Sequence, residues 1–292
     1  MERRTFLQGA VLGGATIASS ARAAIGSQHQ DSADAKTKTK VRIHHSVCRW
    51  CFGKIPLDDL CTAVAGMGGS AIDLLDEPDW GVPPKHGLVC SVANGPGGIE
   101  KGWNRVEHHA GLLEKLAVLL PKVAAAKIPN SIVFSGNRAG QADAEGAKNC
   151  IAGLKSAAKL AEQHGVTLLF EILNSKVDHG DYQFDHMAYG LEVVKAVGSP
   201  RVKILYDIYH AQIMEGDVIR TIRDDIQWIG HFHTGGVPGR NEIDATQELN
   251  YGAICKAIAD AGYQGFVAQE FIPKRKDDPL ASLREAFAIC DA

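Results

Sequence analysis

The sequence predicts a (β/α)8 barrel, a TIM barrel, over residues 41–292. Short apolar runs recur eight times, helical patterns lie between most of them, and the repeat extends over about 250 residues, the usual size of such a barrel. A chain of 292 residues, 45% hydrophobic and 22% charged, has the apolar content for one large α/β core. A doubly wound open sheet is the main alternative. It would show a glycine-rich fingerprint after its first strand, where this chain reads CRWCFGKIP.

Residues 1–40 stand apart from the barrel. Arg3-Arg4 precedes an uncharged run of small and apolar residues from Gly9 to Ala21, and Ala21-Arg22-Ala23 fits an A-x-A cleavage pattern. The segment resembles a twin-arginine export signal, which places the mature protein in the periplasm, or in the cytoplasm if the signal is not used. The run is too short to span roughly 30 Å of hydrocarbon comfortably, so no stable membrane anchor is expected. Residues 24–40 are polar and read as a disordered linker.

The candidate strands follow in order at 41–47 (VRIHHSV), 70–75 (SAIDLL), 88–93 (LVCSVA), 131–136 (SIVFSG), 166–172 (VTLLFEI), 202–208 (VKILYDI), 228–234 (WIGHFHT) and 265–271 (GFVAQEF). Apolar residues at three- and four-residue spacing predict helices over 104–127, 144–165 and 184–198. The last two end in Gly165 and Gly198, a helix C-terminal signal. A closing helix over 278–290 opens with Asp278-Pro279. The GPGG at 95–98 opens no immediate apolar helix and reads as a plain turn. Seven cysteines, an odd number, argue against a disulfide scaffold. Cys48 and Cys51 form a CxxC with no second pair, which reads as two thiols at a strand end. A net charge of −3 with both signs interspersed gives no nucleic-acid footprint.

Barrel enzymes work where the C-terminal strand ends meet. Strand five ends at Glu171, strand six at Asp207, strand seven at His233 and strand eight at Glu270. Stepping back by two gives Leu169, Leu205, His231 and Ala268, sets that can face the barrel interior together. Three carboxylates buried together need a counter-charge, and a divalent cation supplies one. An imidazole beside them suits Mg²⁺, Mn²⁺, Co²⁺ or Zn²⁺. Trp50 and Phe52 on the first loop are candidates for an apolar wall, and His44-His45 for an approach from strand one. Asn174, just past Glu171, is placed either to hold a substrate hydroxyl or to cap a turn.

The stretches FEILNS (170–175), YDIYHAQIMEGD (206–217), VPGRNE (237–242), QELNY (247–251) and GYQGFVAQEFIP (262–273), in this order and spacing, resemble the hydroxypyruvate isomerase family. That family is a branch of the xylose-isomerase-like barrel sugar isomerases and epimerases. The resemblance implies one divalent metal ion, Mn²⁺, Mg²⁺ or Co²⁺ ahead of Zn²⁺, held by Glu171, Asp207, His233 and Glu270. It implies that Glu171 and Glu270 double as the catalytic proton-transfer pair and that His210 and Arg240 bind substrate. One position departs from the pattern. His233 stands where hydroxypyruvate isomerases carry Gln, and His there is similar to the ketose 3-epimerase branch.

The implied function is a metal-dependent isomerase of a small hydroxy-keto acid or sugar. The reaction would run through an enediolate, of the hydroxypyruvate to tartronate semialdehyde type. A ketose 3-epimerase, a keto-inositol-type dehydratase and, outside enzymes, a periplasmic sugar-binding module are the alternatives. A DNA-repair endonuclease on this barrel would need more histidine ligands and a basic face. The expected partner is a small hydroxy-carbonyl compound, with no nucleic acid; homo-oligomerisation is left open. Hydroxypyruvate is a cytoplasmic metabolite, so export points to a different substrate.

Overall fold

The computed structural model describes residues 43–291, so the export-type segment and the linker region lie outside the described residues. Eight strands form a closed parallel barrel in chain order: β1 (His44–Cys48), β2 (Ala71–Leu75), β3 (Val89–Ala93), β4 (Asn130–Val133), β5 (Thr167–Glu171), β6 (Val202–Asp207), β7 (Ile229–Thr234) and β8 (Phe266–Gln269). The barrel closes where β8 pairs with β1, His45 opposite Val267. Around it lie α1 (Leu57–Gly66), α2 (Val106–Ala125), α3 (Asp143–His164), α4 (Met187–Val197), α5 (Ile208–Met214), α6 (Val218–Asp225), α7 (Tyr251–Asp260) and α8 (Pro279–Cys290). No helix among the described residues is long and apolar enough to cross a membrane.

The strands are apolar on both faces because both are covered. Val92, Ile132, Leu169 and Leu205 meet inside the barrel, while Ile72, Leu168, Ile204 and Phe232 join the larger layer beneath the helices. Leu169 and Leu205 thus lie inside, as alternation from Glu171 and Asp207 predicts. Gly165 and Gly198 end α3 and α4 with φ of 69° and 71°, the left-handed conformation that favours glycine. Asp278 caps α8 by accepting from the Ala281 N–H at 2.9 Å.

Several boundaries differ from the sequence expectation. β4 stops at Val133, and Phe134–Gly136 already turn out of the barrel. β8 stops at Gln269, so Glu270 is the first residue past the ladder. β1 begins at His44, which places His44 and His45 at the far mouth, away from the C-terminal rim. His45 stacks on Phe287 with ring centroids 4.2 Å apart, and its Nε2 lies 2.9 Å from Asp291. Its burial and partners make it a packing residue.

β2 breaks the alternation. Ile72 and Leu75 face the helices, and Asp73 points inward. Leu74 should then face outward. It adopts φ of 57° instead, and the ladder to β3 shifts register around Asp73. Its side chain packs on the inner cluster, so two successive residues of β2 face the interior.

Candidate metal centre

At the C-terminal rim, one ligand-type atom from each of Glu171, Asp207, His233 and Glu270 lies within 4.8 Å of the others. β5, β6 and β7 deliver the first three, and Glu270 follows β8 directly. All four are buried, none more than 4% exposed. His233 Nδ1 is 2.8 Å from Glu270 Oε2 and 3.2 Å from Glu171 Oε1, yet it has no hydrogen-bond partner among the described residues. Nε2 faces Asp73 Oδ2 at 2.9 Å, and a carboxylate only accepts, so Nε2 carries a proton and Nδ1 is the nitrogen left for a cation once its own proton is gone. One imidazole nitrogen and three carboxyl groups aimed at one point fit a divalent cation, which takes the place of the protons they hold without it.

The charge balance agrees. Burial pushes the Asp207 carboxyl well above the usual range against the pull of Arg240, and burial likewise raises Glu171 against the pull of His233. Glu270 is also penalised by burial, but Arg240 and His233 outweigh it and hold its carboxyl well below the usual range. One guanidinium does not stabilise three carboxylates as anions, and a divalent cation supplies the missing charge.

Asp73 and His179 escaped the sequence analysis. Asp73 Oδ2 accepts from both His231 and His233 at 2.9 Å, and Oδ1 accepts from Ser91 and Ser46. Burial alone would raise this carboxyl; His231 and His233 outweigh it and hold it far below the usual range. Asp73 therefore fixes the tautomer of His233 from across the barrel. His231 lies below His233, on Asp73 and outside the four converging groups. The signal was present as a lone acid within the apolar run AIDLL.

Arg240 sits over the mouth. Its Nη2 donates to Glu270 Oε2 at 2.6 Å and Asp207 Oδ2 at 3.2 Å, and its guanidinium lies between the rings of Trp50 and Tyr209, 5.1 and 5.3 Å from their centroids. Its side chain is 15% exposed, so it is no surface ion pair. Gly236 turns the chain out of β7 and bridges to Asn241; a Cβ there would come within 2.2 Å of the Glu242 carbonyl. Trp50 also donates its Nε1–H to Glu270 Oε1 at 2.7 Å. Phe52 is not in the wall: it is buried edge-on to Phe271.

His210 is buried one turn into α5, and its backbone N–H caps on Asp207 Oδ1 at 3.2 Å. Its Nδ1 accepts from the Asn174 backbone N–H at 3.1 Å and faces the Asn174 side-chain amide at 2.6 Å. Burial, with Arg240 adding to it, holds the ring well below its usual pKa, so it is neutral with the proton on Nε2. Among the described residues that N–H has no hydrogen-bond partner, although Asp207 Oδ2 lies 3.5 Å away. Asn174 itself caps a turn. Its Oδ1 accepts from the Val177 and Asp178 N–H groups, and its Nδ2 meets Asp178 and His210. It reaches the site only through His210, because its own polar atoms are taken. Cys48 and Cys51 are free thiols; Cys48 lies beneath the centre, 3.7 Å from His233 Nε2.

A cavity of about 260 Å³ reaches two of the four groups, lined by Glu171, Glu270, Arg240 and His179 on one arc and mainly by apolar residues on the other.

The family described as xylose isomerase-like TIM barrel matches residues 85–290. The 2-oxo-tetronate isomerase of Cupriavidus necator is 38% identical over 121 residues, 41% of this chain and 46% of that protein. A putative hydroxypyruvate isomerase of Homo sapiens is 32% identical over 121 residues, 41% of this chain and 44% of that protein. The matched stretch thus spans under half the length of these two relatives. The crystal structure of an AP endonuclease, family 2, from Brucella melitensis superposes with a TM-score of 0.74 at 26% identity, covering 83% of this chain and 96% of that one. With the barrel, its rim and this match in agreement, the chain belongs to the xylose isomerase-like TIM barrel family.

Proposed function

We propose that the protein is a divalent-metal-dependent isomerase of a small α-hydroxy-keto acid. The observation that carries this reading is the convergence of Glu171, Asp207, Glu270 and the Nδ1 side of His233 on one point. The names of the two isomerase relatives favour the same chemistry.

These four residues would hold the cation. When bound, it polarises the substrate carbonyl and offsets negative charge as it develops on the two substrate oxygens. The protein's own groups do the rest. One of the Glu171–Glu270 pair takes the proton from the hydroxyl-bearing carbon, leaving an enediolate. The other returns a proton to the neighbouring carbon, and the hydroxyl proton passes from the first substrate oxygen to the second, which completes isomerisation. The two carboxyls suit different roles, because burial holds Glu171 up while Arg240 and His233 hold Glu270 down. The Nε2–H of His210, without a hydrogen-bond partner among the described residues, donates to a substrate oxygen. Arg240 forks onto the substrate carboxylate. Trp50 and Tyr209 hold the guanidinium plane, which limits the side-chain freedom lost on binding.

His233 at the third ligand position favours a second reading, ketose 3-epimerisation, in which the proton returns to the carbon it left from the other face. One experiment serves both. Hydroxypyruvate, longer hydroxy-keto acids and ketoses are incubated in D₂O with the metal stripped and then restored. Metal-dependent deuterium uptake is expected, and the labelled product separates isomer from epimer. No uptake from any substrate with any restored metal would sink the isomerase reading. We also place the mature protein in the periplasm. Fractionation of cells expressing the full chain, with Arg3→Lys/Arg4→Lys retained in the cytoplasm, checks this.

A further inference from the structure

The cavity divides by chemistry. On the arc of β2 to β4 it is lined by Leu74, Ile99, Ile132 and Phe134, with Leu173 beyond. Asn94 is the polar side chain among them, and its amide nitrogen is already given to Asp76 at 2.9 Å. Leu74 is there at a cost. A branched residue at φ of 57° is held in a conformation that disfavours it, and such outliers persist only where the surrounding structure imposes them. A regular β2 would send this side chain out to the helices. The left-handed turn brings it in against Ile132 and Phe134, beside the mouth of the centre.

We propose that this wall sets the substrate class: an α-hydroxycarbonyl compound whose tail beyond the reacting carbons is short or apolar, and not the polyhydroxylated chain of a sugar. The inference rests on the proposed isomerase only for the reacting head. The tail is selected by desolvation. A ketohexose would bring several further hydroxyls into contact with Leu74, Ile132 and Phe134, and of the side chains on this arc only the Asn94 carbonyl remains to meet them. Each hydroxyl buried without a partner weakens binding about tenfold, whereas methylenes in the same place gain by leaving water. Leu74 is the residue that turns the β2 sector from polar, at Asp73, to apolar within one position.

The test is binding of inert 2-hydroxy acids to the metal-loaded full chain by calorimetry. The pair shares a head and differs only in the tail, propyl against trihydroxypropyl. The alkyl acid is expected to bind at least about tenfold tighter, from one unmatched hydroxyl or more. In Leu74→Asn, a residue that accepts left-handed backbone, the melting temperature should hold and the ratio should fall at least about fivefold as the amide meets a hydroxyl. Leu74→Ala should weaken alkyl binding without improving the polyol. Equal or tighter polyol binding in the natural protein, or an unchanged ratio in Leu74→Asn, overturns the proposal. If neither acid binds, the acid-head reading fails instead. The same criteria then apply to a neutral pair, 1-hydroxyhexan-2-one against a ketohexose, and decide the wall on its own.

Discussion

Strands β5 to β7 carry Glu171, Asp207 and His233 at the C-terminal rim, and Glu270 follows β8, whereas β1 to β4 close on Cys48, Leu75, Ala93 and Val133. One arc of the barrel thus gathers charge and the other gathers shape. Buried carboxylates are tolerable only near a shared counter-charge, so placing them on consecutive strands would let one cation, with Arg240, serve all three. The apolar arc offers no charge of its own to the same small cavity. Asp73 is the exception that joins the arcs. It stands on β2, clamped by Ser46 and Ser91 from β1 and β3, and reaches across to His231 and His233 on β7.

The division is broken most severely by Glu270→Gln, which keeps the shape and removes a ligand and a proton carrier. The rate of deuterium uptake should fall about a thousandfold or more, with the melting temperature little changed. Activity within tenfold of the natural protein would show that the charged arc does not carry the chemistry. Arg240→Lys keeps the charge and loses the fork, so kcat/KM for an acid substrate should drop about a hundredfold while that for a neutral hydroxyketone drops far less. Equal losses for both would make Arg240 a partner of Glu270 and Asp207 alone.

Asp73→Asn tests whether the apolar arc contributes to the centre through His233. Metal affinity, followed in the visible spectrum of the cobalt form, should weaken about 10- to 100-fold with the barrel's far-ultraviolet circular dichroism intact. An unchanged spectrum and affinity would reduce Asp73 to a structural contact. The smallest effect expected is on pH. Without a cation, burial holds Asp207 and Glu171 up, and Cys48, Glu270 and Asp73 hold His233 up against burial, so cation binding should displace protons. Affinity should therefore rise with pH, about tenfold per pH unit for each proton displaced, and fall as acid returns the protons. Calorimetry in buffers of different ionisation enthalpy counts them; no proton release would mean that the four groups are already deprotonated without the cation.

The charged arc was legible because Glu171, Asp207, His233 and Glu270 each stand out at the end of an apolar run, and alternation places Leu169 and Leu205 beneath the first two. The eight strands and the glycine-terminated α3 and α4 were legible for the same local reasons. The apolar arc was not. Nothing in SAIDLL marks Leu74 as left-handed, since leucine has no preference for positive φ and the bulge is imposed by packing against β3. Strict alternation therefore gave no sign that Asp73 and Leu74 both face inward. His44 and His45 were misplaced for a simpler reason: an apolar run does not reveal where its ladder begins, and a shift of a few residues moves a side chain from one mouth to the other. For Asn174 the two local readings were a hydroxyl contact and a turn cap, and only the position of Asp178 and His210 decides for the cap.

Asp207 does two jobs whose combination has a mechanical result. It offers a carboxylate oxygen to the centre and accepts the backbone N–H of His210 with the other. The separation of the Asp207 carboxylate and the His210 ring is thus set by one turn of α5, like two jaws on a common jig. Loops around the mouth can lengthen, shorten or change character without altering that span. In the reading proposed above, the reacting head of a substrate held by both groups would be gauged by rigid backbone.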